Sequence, residues 1–295
     1  MTDTITTNVP RPTVSKPVLI AFLVIIDSVH FVFARLLLPH ISPYASVLYI
    51  MVVASLQVGI YGFFCRRIHF GILLKNLWFF LSIGALIGIS TIINYEAVAF
   101  IDPGTASLLA RTSILMSIGL GLFWLKEKLS KLQGSGAILA LTGVLVIAFQ
   151  PGDYIRLGSL LILISAFMYA LHTAIVKRYG EDMDFVEFFF FRILSTAIVL
   201  FFIAMGRHAL IWPGVTAWGL IMMTATIDVV ISRALYYLVL RQMQISVLAI
   251  VLTLSPVAAV LWAFILFDTV PTVQQLIGGV GVILGVFIVT IRRDI

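Results

Sequence analysis

Ionisable side chains set inside apolar runs are the residues of this chain with chemistry to offer. Asp27 and His30 stand three apart, on one helical face, in the first such run. Glu96 lies near the outer end of the third run, and Arg111 about two turns into the fourth. His172, Arg192, Asp228 and Arg233 follow in the sixth, seventh and eighth. A charge at the centre of a bilayer costs about 3 kcal/mol on insertion scales, which directs such residues into a bundle interior or a water-filled path. Arginine stays charged and grips carboxylates with two parallel N–H bonds. Carboxylates and histidines hold an ammonium group or carry a proton. Arginines alternating with acids in one cavity suit a zwitterion such as an amino acid, or a larger amino-polycarboxylate. On that chemistry Arg111, Glu96, Asp228, Arg192, Arg233 and Tyr169 are candidate substrate-binding residues, and Asp27, His30 and His172 candidate proton carriers. Several also have a structural reading: His172 as a neutral packing residue, Arg192 as a cap or a ligand of lipid phosphates, and Asp27, Glu96, Arg111 and Asp228 as buried ion pairs. Asp228 and Arg233 are five apart, about 140° around an α-helix, and are expected not to pair.

The elements that must position these residues follow from composition. Hydrophobic residues make up 61% of the 295, charged ones only 11%, and the mean hydropathy is +1.14. A soluble domain of this size needs more charge to cover its surface, so the chain reads as an all-α polytopic membrane protein. With about 20 apolar residues per crossing, ten helices are predicted, near 17–37, 44–64, 77–99, 104–124, 134–150, 157–177, 186–204, 216–239, 244–267 and 273–291. Residues 1–16 are expected to form a disordered tail. Lys and Arg concentrate in alternate loops, among them Arg66, Arg67, Lys126, Lys128, Lys177, Arg178 and Arg241. That bias places both termini in the cytoplasm and accounts for the sequence pI of about 9.6 without nucleic acid. The single cysteine, Cys65, forms no internal disulfide, and no Cys/His spacing suggests a metal or other cofactor. No HExxH, GxSxG or Walker motif occurs, which argues against an enzyme and against primary pumping.

The chain is also self-similar at half its length. Gln133, Gly136 and Gly143 recur as Gln275, Gly278 and Gly285 at a constant offset of 142 residues, and His30 meets His172 at the same offset. Two repeats are therefore expected, 17–150 and 151–295. Five helices is an odd number, so the second repeat is inverted relative to the first, and the path lies at their interface near mid-membrane. Gly84 and Gly88, and Gly281 and Gly285, form small-residue stripes for close helix approach. The second stripe serves either packing between the halves or a homodimer contact. Pro256 is expected to kink the ninth helix.

Two five-helix halves, each with a turn followed by Gln-x-x-Gly-x6-Gly, resemble the EamA-type transporters of the drug/metabolite transporter superfamily. So do the stretches Ser165 to Ala170, Lys177 to Gly180 and Leu254-Ser255-Pro256-Val257. The turn from Trp124 to Ser130 resembles the family's Gly-Glu-x-Leu-Ser signature, with Lys126 where glycine is usual. The resemblance covers essentially residues 17–291. It implies a secondary carrier of a bacterial-type inner membrane, commonly an exporter of amino acids or other small metabolites. With the charges above, it points to alternating access coupled to protons. An importer of a vitamin or nucleotide, or a broad drug-efflux carrier, would share the fold. The first half departs most, with Arg111 in place of an apolar residue and no proline in the fourth helix.

Overall fold

Residues 16–28, 33, 36–37, 39–97, 110, 112–148, 157–180, 182–255, 257–258, 270 and 272–291 are described by the structure, a computed structural model. A helix stands at each of the ten predicted positions. They are α1 (Lys16–Ser28), α2 (Pro43–Phe64), α3 (Leu77–Ala97), α4 (Thr112–Phe123) and α5 (Lys131–Ala148). The second half supplies α6 (Leu157–Tyr179), α7 (Phe185–Gly206), α8 (Val215–Leu240), α9 (Ile245–Val251) and α10 (Val273–Ile291). Among the described residues no strand is present. Among the described residues five helices are long and apolar enough to cross a membrane: Tyr44–Phe64, Leu77–Asn94, Leu157–Tyr179, Phe185–Gly206 and Val215–Leu240. At 1.5 Å per residue the 22 residues of α2 span about 33 Å, against a hydrocarbon core of about 30 Å. Shorter apolar stretches lie in α1, α4, α5 and α10. The protein is a multi-pass membrane protein.

Local sequence explains where helices start. Ser42 caps α2 ahead of Pro43, and Asp184 accepts from Val186 and Glu187 N–H at the start of α7. The repeated glutamines prove to be capping residues. Gln133 Oε1 accepts from Ser130 N–H at 2.9 Å while Gln133 N–H donates to Ser130 Oγ at 3.2 Å. Gln275 and Thr272 make the same reciprocal pair, at the same 2.9 and 3.2 Å. These are capping boxes at corresponding places of the two halves.

The halves pack by a two-fold rule. Across the interface α3 packs on α6 as α1 packs on α8, and α3 packs on α7 as α2 packs on α8; α2 with α7, α4 with α9 and α5 with α10 pair with their own counterparts. The α5–α10 crossing shows the rule at atomic scale. A Cβ on Gly136 would sit 2.8 Å from the Gly285 carbonyl oxygen, and one on Gly143 2.6 Å from that of Gly278. The repeat carries Gly136 to Gly278 and Gly143 to Gly285, so each contact is the image of the other. Two inverted five-helix repeats produce that pattern. The helix-ten stripe thus packs the halves together, with Gly281 against Gly143. The stripe in α3 receives α7, where a Cβ on Gly84 would meet Ser195 at 2.8 Å.

A seven-residue π-helical segment, Ala225–Ile231, interrupts α8 at mid-span. The ninth helix leaves α-helical bonding after Val251, and Thr253 N–H and Ser255 N–H turn back to Ile250 O and Leu252 O instead. Pro256 itself lies outside the described residues.

Candidate functional site

Four polar residues from both halves meet where α1 crosses α8. The Arg233 guanidinium donates to Asp27 Oδ1 at 3.0 Å, and Ser255 Oγ donates to Asp27 Oδ2 at 3.2 Å. Arg233 Nη2 also lies 4.0 Å from Asp228 Oδ1. This corrects the expectation that Asp228 and Arg233 diverge. The expectation assumed 3.6 residues per turn, whereas the π segment runs at about 4.4, so residues five apart share a face. Asp27 and Arg233 are about four-fifths buried and Asp228 almost wholly so. A buried pair of this kind is held by geometry and by the extra bond from Ser255, since desolvation alone costs several kcal/mol per ion.

A second network lies between α6, α7 and α8. The His172 ring is fully buried and its Nε2 is 2.9 Å from Tyr237 Oη. Tyr236 Oη donates to Thr173 Oγ1 at 3.2 Å, and Thr173 Oγ1 is 3.5 Å from His172 Nδ1. Arg192 stacks its guanidinium 5.2 Å from the centroid of the Tyr237 ring. Its side chain is buried, and neither Nε nor Nη1 has a hydrogen-bond partner among the described residues. A buried cation with donors left over is an expensive arrangement, and an anionic group is what would complete it.

Between this network and the first half lies a cavity of about 50 Å³, walled by Ser113 and Ser117 of α4, Tyr169 of α6, Tyr236 of α8 and Leu248 of α9. That volume holds a few waters and no metabolite, so passage of solute along this line requires α4 and α9 to part. One end of the α4–α9 pair is fastened by Glu127. Its carboxylate accepts from Ile245 N–H at 2.7 Å, Ser246 N–H at 3.0 Å and Ser246 Oγ at 2.6 Å. An acid from the first half thereby caps the N-terminus of a second-half helix. At the same end Glu187, itself buried, accepts from His69 N–H at 2.8 Å and holds the loop after α2.

Of the sequence-predicted residues, Asp27, Asp228 and Arg233 come together, as do His172 and Arg192, and Tyr169 lines the cavity. His30 and Arg111 lie outside the described residues, and so does the Glu96 side chain. Tyr236 and Tyr237 were legible only as aromatics able to line the path; Ser255 and Thr173 escaped the sequence reading as site residues because neutral hydroxyls carry no signal in an apolar run. Glu127 was legible as part of a turn motif, but its partner 118 residues away was not. Among the described residues no group of three or more His, Cys, Asp or Glu could hold a metal.

A duplicated helical bundle with buried charges at the interface of its halves has the architecture of a secondary carrier. The pattern of the EamA-like transporter family matches residues 15–149 and 156–291. The chain belongs to that family. It is similar to the uncharacterized transporter YdfC of Bacillus subtilis, 28% identical over 189 residues, 63% of this chain and 62% of the relative. It is also similar to an uncharacterized transporter of Synechocystis, 22% identical over 228 residues, 72% of this chain and 65% of that one. The matches thus span less than two thirds of these relatives' length. A protein of known crystal structure shares the fold over 93% of this chain and 96% of its own, with a TM-score of 0.80 at 17% identity.

Proposed function

We propose that the protein is a proton-coupled exporter of a small zwitterionic or anionic metabolite, of amino-acid or amino-polycarboxylate type, in a bacterial inner membrane. Both termini face the cytoplasm, and the repeats 17–150 and 151–295 move against each other in alternating access, after a cytoplasmic tail at 1–16. The observation that carries this reading is the charged cluster built by both halves: Asp27 from the first, Arg233, Asp228 and Ser255 from the second. A scaffold gains nothing from buried charges at its moving interface, whereas a carrier needs groups that bind solute and exchange protons there. Asp228 and Glu96 suit an ammonium group, Arg192 and Arg111 a carboxylate, and Tyr169 the wall of the path. Asp27, His30 and His172 carry protons, and Pro256 kinks the ninth helix.

The test is uptake into proteoliposomes of a panel of labelled amino acids and amino-polycarboxylates, with and without an imposed pH gradient. Gradient-dependent movement of a zwitterion or anion, lost in Arg111→Ala and no longer driven by the gradient in Asp27→Asn, is expected. Movement of hydrophobic cations alone would overturn the reading.

A further inference from the structure

We propose that Glu127 is the latch of a gate formed by α4 and α9, and that the short helix α9 is the part that swings. The inference rests on the alternating-access reading above and gives one end of the path a moving element. The cavity lies directly behind the latch. Ser113, Ile114 and Ser117 of α4 wall it on one side, and Ile245, Leu248 and Ala249 of α9 on the other. Ile245 belongs to both, since it lines the cavity and gives its N–H to Glu127.

The latch crosses the seam between the halves. Glu127 Oε1 accepts from Ile245 N–H, and Oε2 from Ser246 N–H and Ser246 Oγ. Glu127 N–H donates to Gly121 O at 2.9 Å, so the carboxylate travels with α4. Glu127 is only half-buried. Water at this end of the bundle therefore takes over the carboxylate and the N–H groups when they part, which makes the latch reversible. A glycine lets it close. A Cβ on Gly121 would collide with Ser246 Oγ and lie 2.5 Å from Glu127 Oε2 and 2.9 Å from Ile245 Cγ2. The two chains come this near only because that Cβ is missing.

The other end of α9 supplies the hinge. Regular α-helical bonding lasts for seven residues, Ile245–Val251. Beyond them Thr253 N–H and Ser255 N–H donate to carbonyls three residues back, at 3.0 and 3.1 Å. Ser255 Oγ is held by Asp27 of α1, which fixes the chain past the hinge. A stiff two-turn segment, latched at its start and released from α-helical bonding at its end, turns about Leu252 to Ser255. Its largest contact is with α4, so its swing is the parting of α4 and α9 that passage of a solute requires.

The experiment is cysteine labelling of the full chain in a Cys65→Ser background, without substrate or pH gradient. Ser117→Cys places a thiol in the cavity wall. A membrane-impermeant maleimide is added to one face of the membrane at a time, in intact cells or in inverted vesicles. Ile193→Cys, fully buried in α7, reports any general loosening. With the latch intact, Ser117→Cys is expected to label slowly from the Glu127 face. Glu127→Gln, which loses the charge and one acceptor, is expected to raise that rate about tenfold and lower the rate from the opposite face. Ile193→Cys stays unlabelled. Gly121→Ala removes no donor or acceptor and is expected to act like Glu127→Gln. An unchanged rate in Glu127→Gln overturns the latch. A rise equal from both faces, or shared by Ile193→Cys, overturns it too and marks Glu127 as a structural cap. Where Glu127→Gln does not fold, Ser246→Ala replaces it: only the 2.6 Å bond is lost, a smaller rise from the same face is expected, and none overturns the latch. Failure to carry zwitterions leaves these labelling outcomes untouched, so the gate and the substrate class fall separately.

Discussion

Lys126 adopts a left-handed conformation, φ 56°, in the turn after α4, at the position where the family signature carries glycine. A side chain there costs roughly 1 kcal/mol against the L-residue preference, partly offset by glycine's greater freedom in the unfolded chain. The Lys126 side chain is exposed, so Lys126→Gly is expected to raise the melting temperature in detergent while the Glu127 cap survives; a fall would show that the lysine makes a contact worth more than the strain. Arg192 makes the opposite case. Among the described residues its Nε and Nη1 have no hydrogen-bond partner, and removing such a charge in favour of an apolar residue of similar volume relieves a desolvation cost of several kcal/mol. Arg192→Met should therefore melt no lower than wild type and yet lose substrate transport. A variant that melts lower would mark Arg192 as a structural group. The buried charges were legible in the sequence because each interrupts an apolar run. Their partners were not, because a hydrogen bond such as Ser255 to Asp27 joins residues 228 apart.

Elements bring those partners together, and the two least regular ones decide the site. The π segment of α8 puts Asp228 and Arg233 on one face; apart from Asp228 itself, nothing in Ala225–Ile231 distinguishes it by residue type from an ordinary apolar helix. The repeated glutamines were visible as a pattern, but their role as caps emerged only with Ser130 and Thr272 in place. The glycines behind them make a sharper case, since α5 and α10 touch through backbone. A Cβ on Gly143 would lie 2.6 Å from Gly278 O and 2.7 Å from Val282 N, groups that cannot rotate away. Gly143→Leu is expected to separate α5 from α10 and abolish the monodisperse peak in size-exclusion chromatography. Gly134, with open space at its Cβ position, should accept leucine with the peak intact. Equal behaviour of the two variants would refute the crossing as the fastening of the halves.

The whole molecule has a polarity that its single cysteine can report. Arg66, Arg67, Lys126, Lys128, Lys177, Arg178 and Arg241 belong to turns at one end of the bundle. The turns are tied there by Arg241 to Gly180 O at 2.7 Å, Lys177 to Leu240 O at 3.0 Å and Arg178 to Trp124 O at 3.4 Å. Those bonds require the α4–α5, α6–α7 and α8–α9 connections to share an end, which an alternating path through five helices and an inverted second five supplies. Cationic loops are retained on the cytoplasmic side, so under the proposed orientation this end faces inward. Cys65, exposed beside Arg66 at the close of α2, belongs to it. A membrane-impermeant maleimide should leave Cys65 unmodified in intact cells and label it in inverted vesicles. Labelling in intact cells would reverse the orientation, place the Glu127 fastening at the outer mouth, and turn the first opening of the α4–α9 pair toward the opposite compartment.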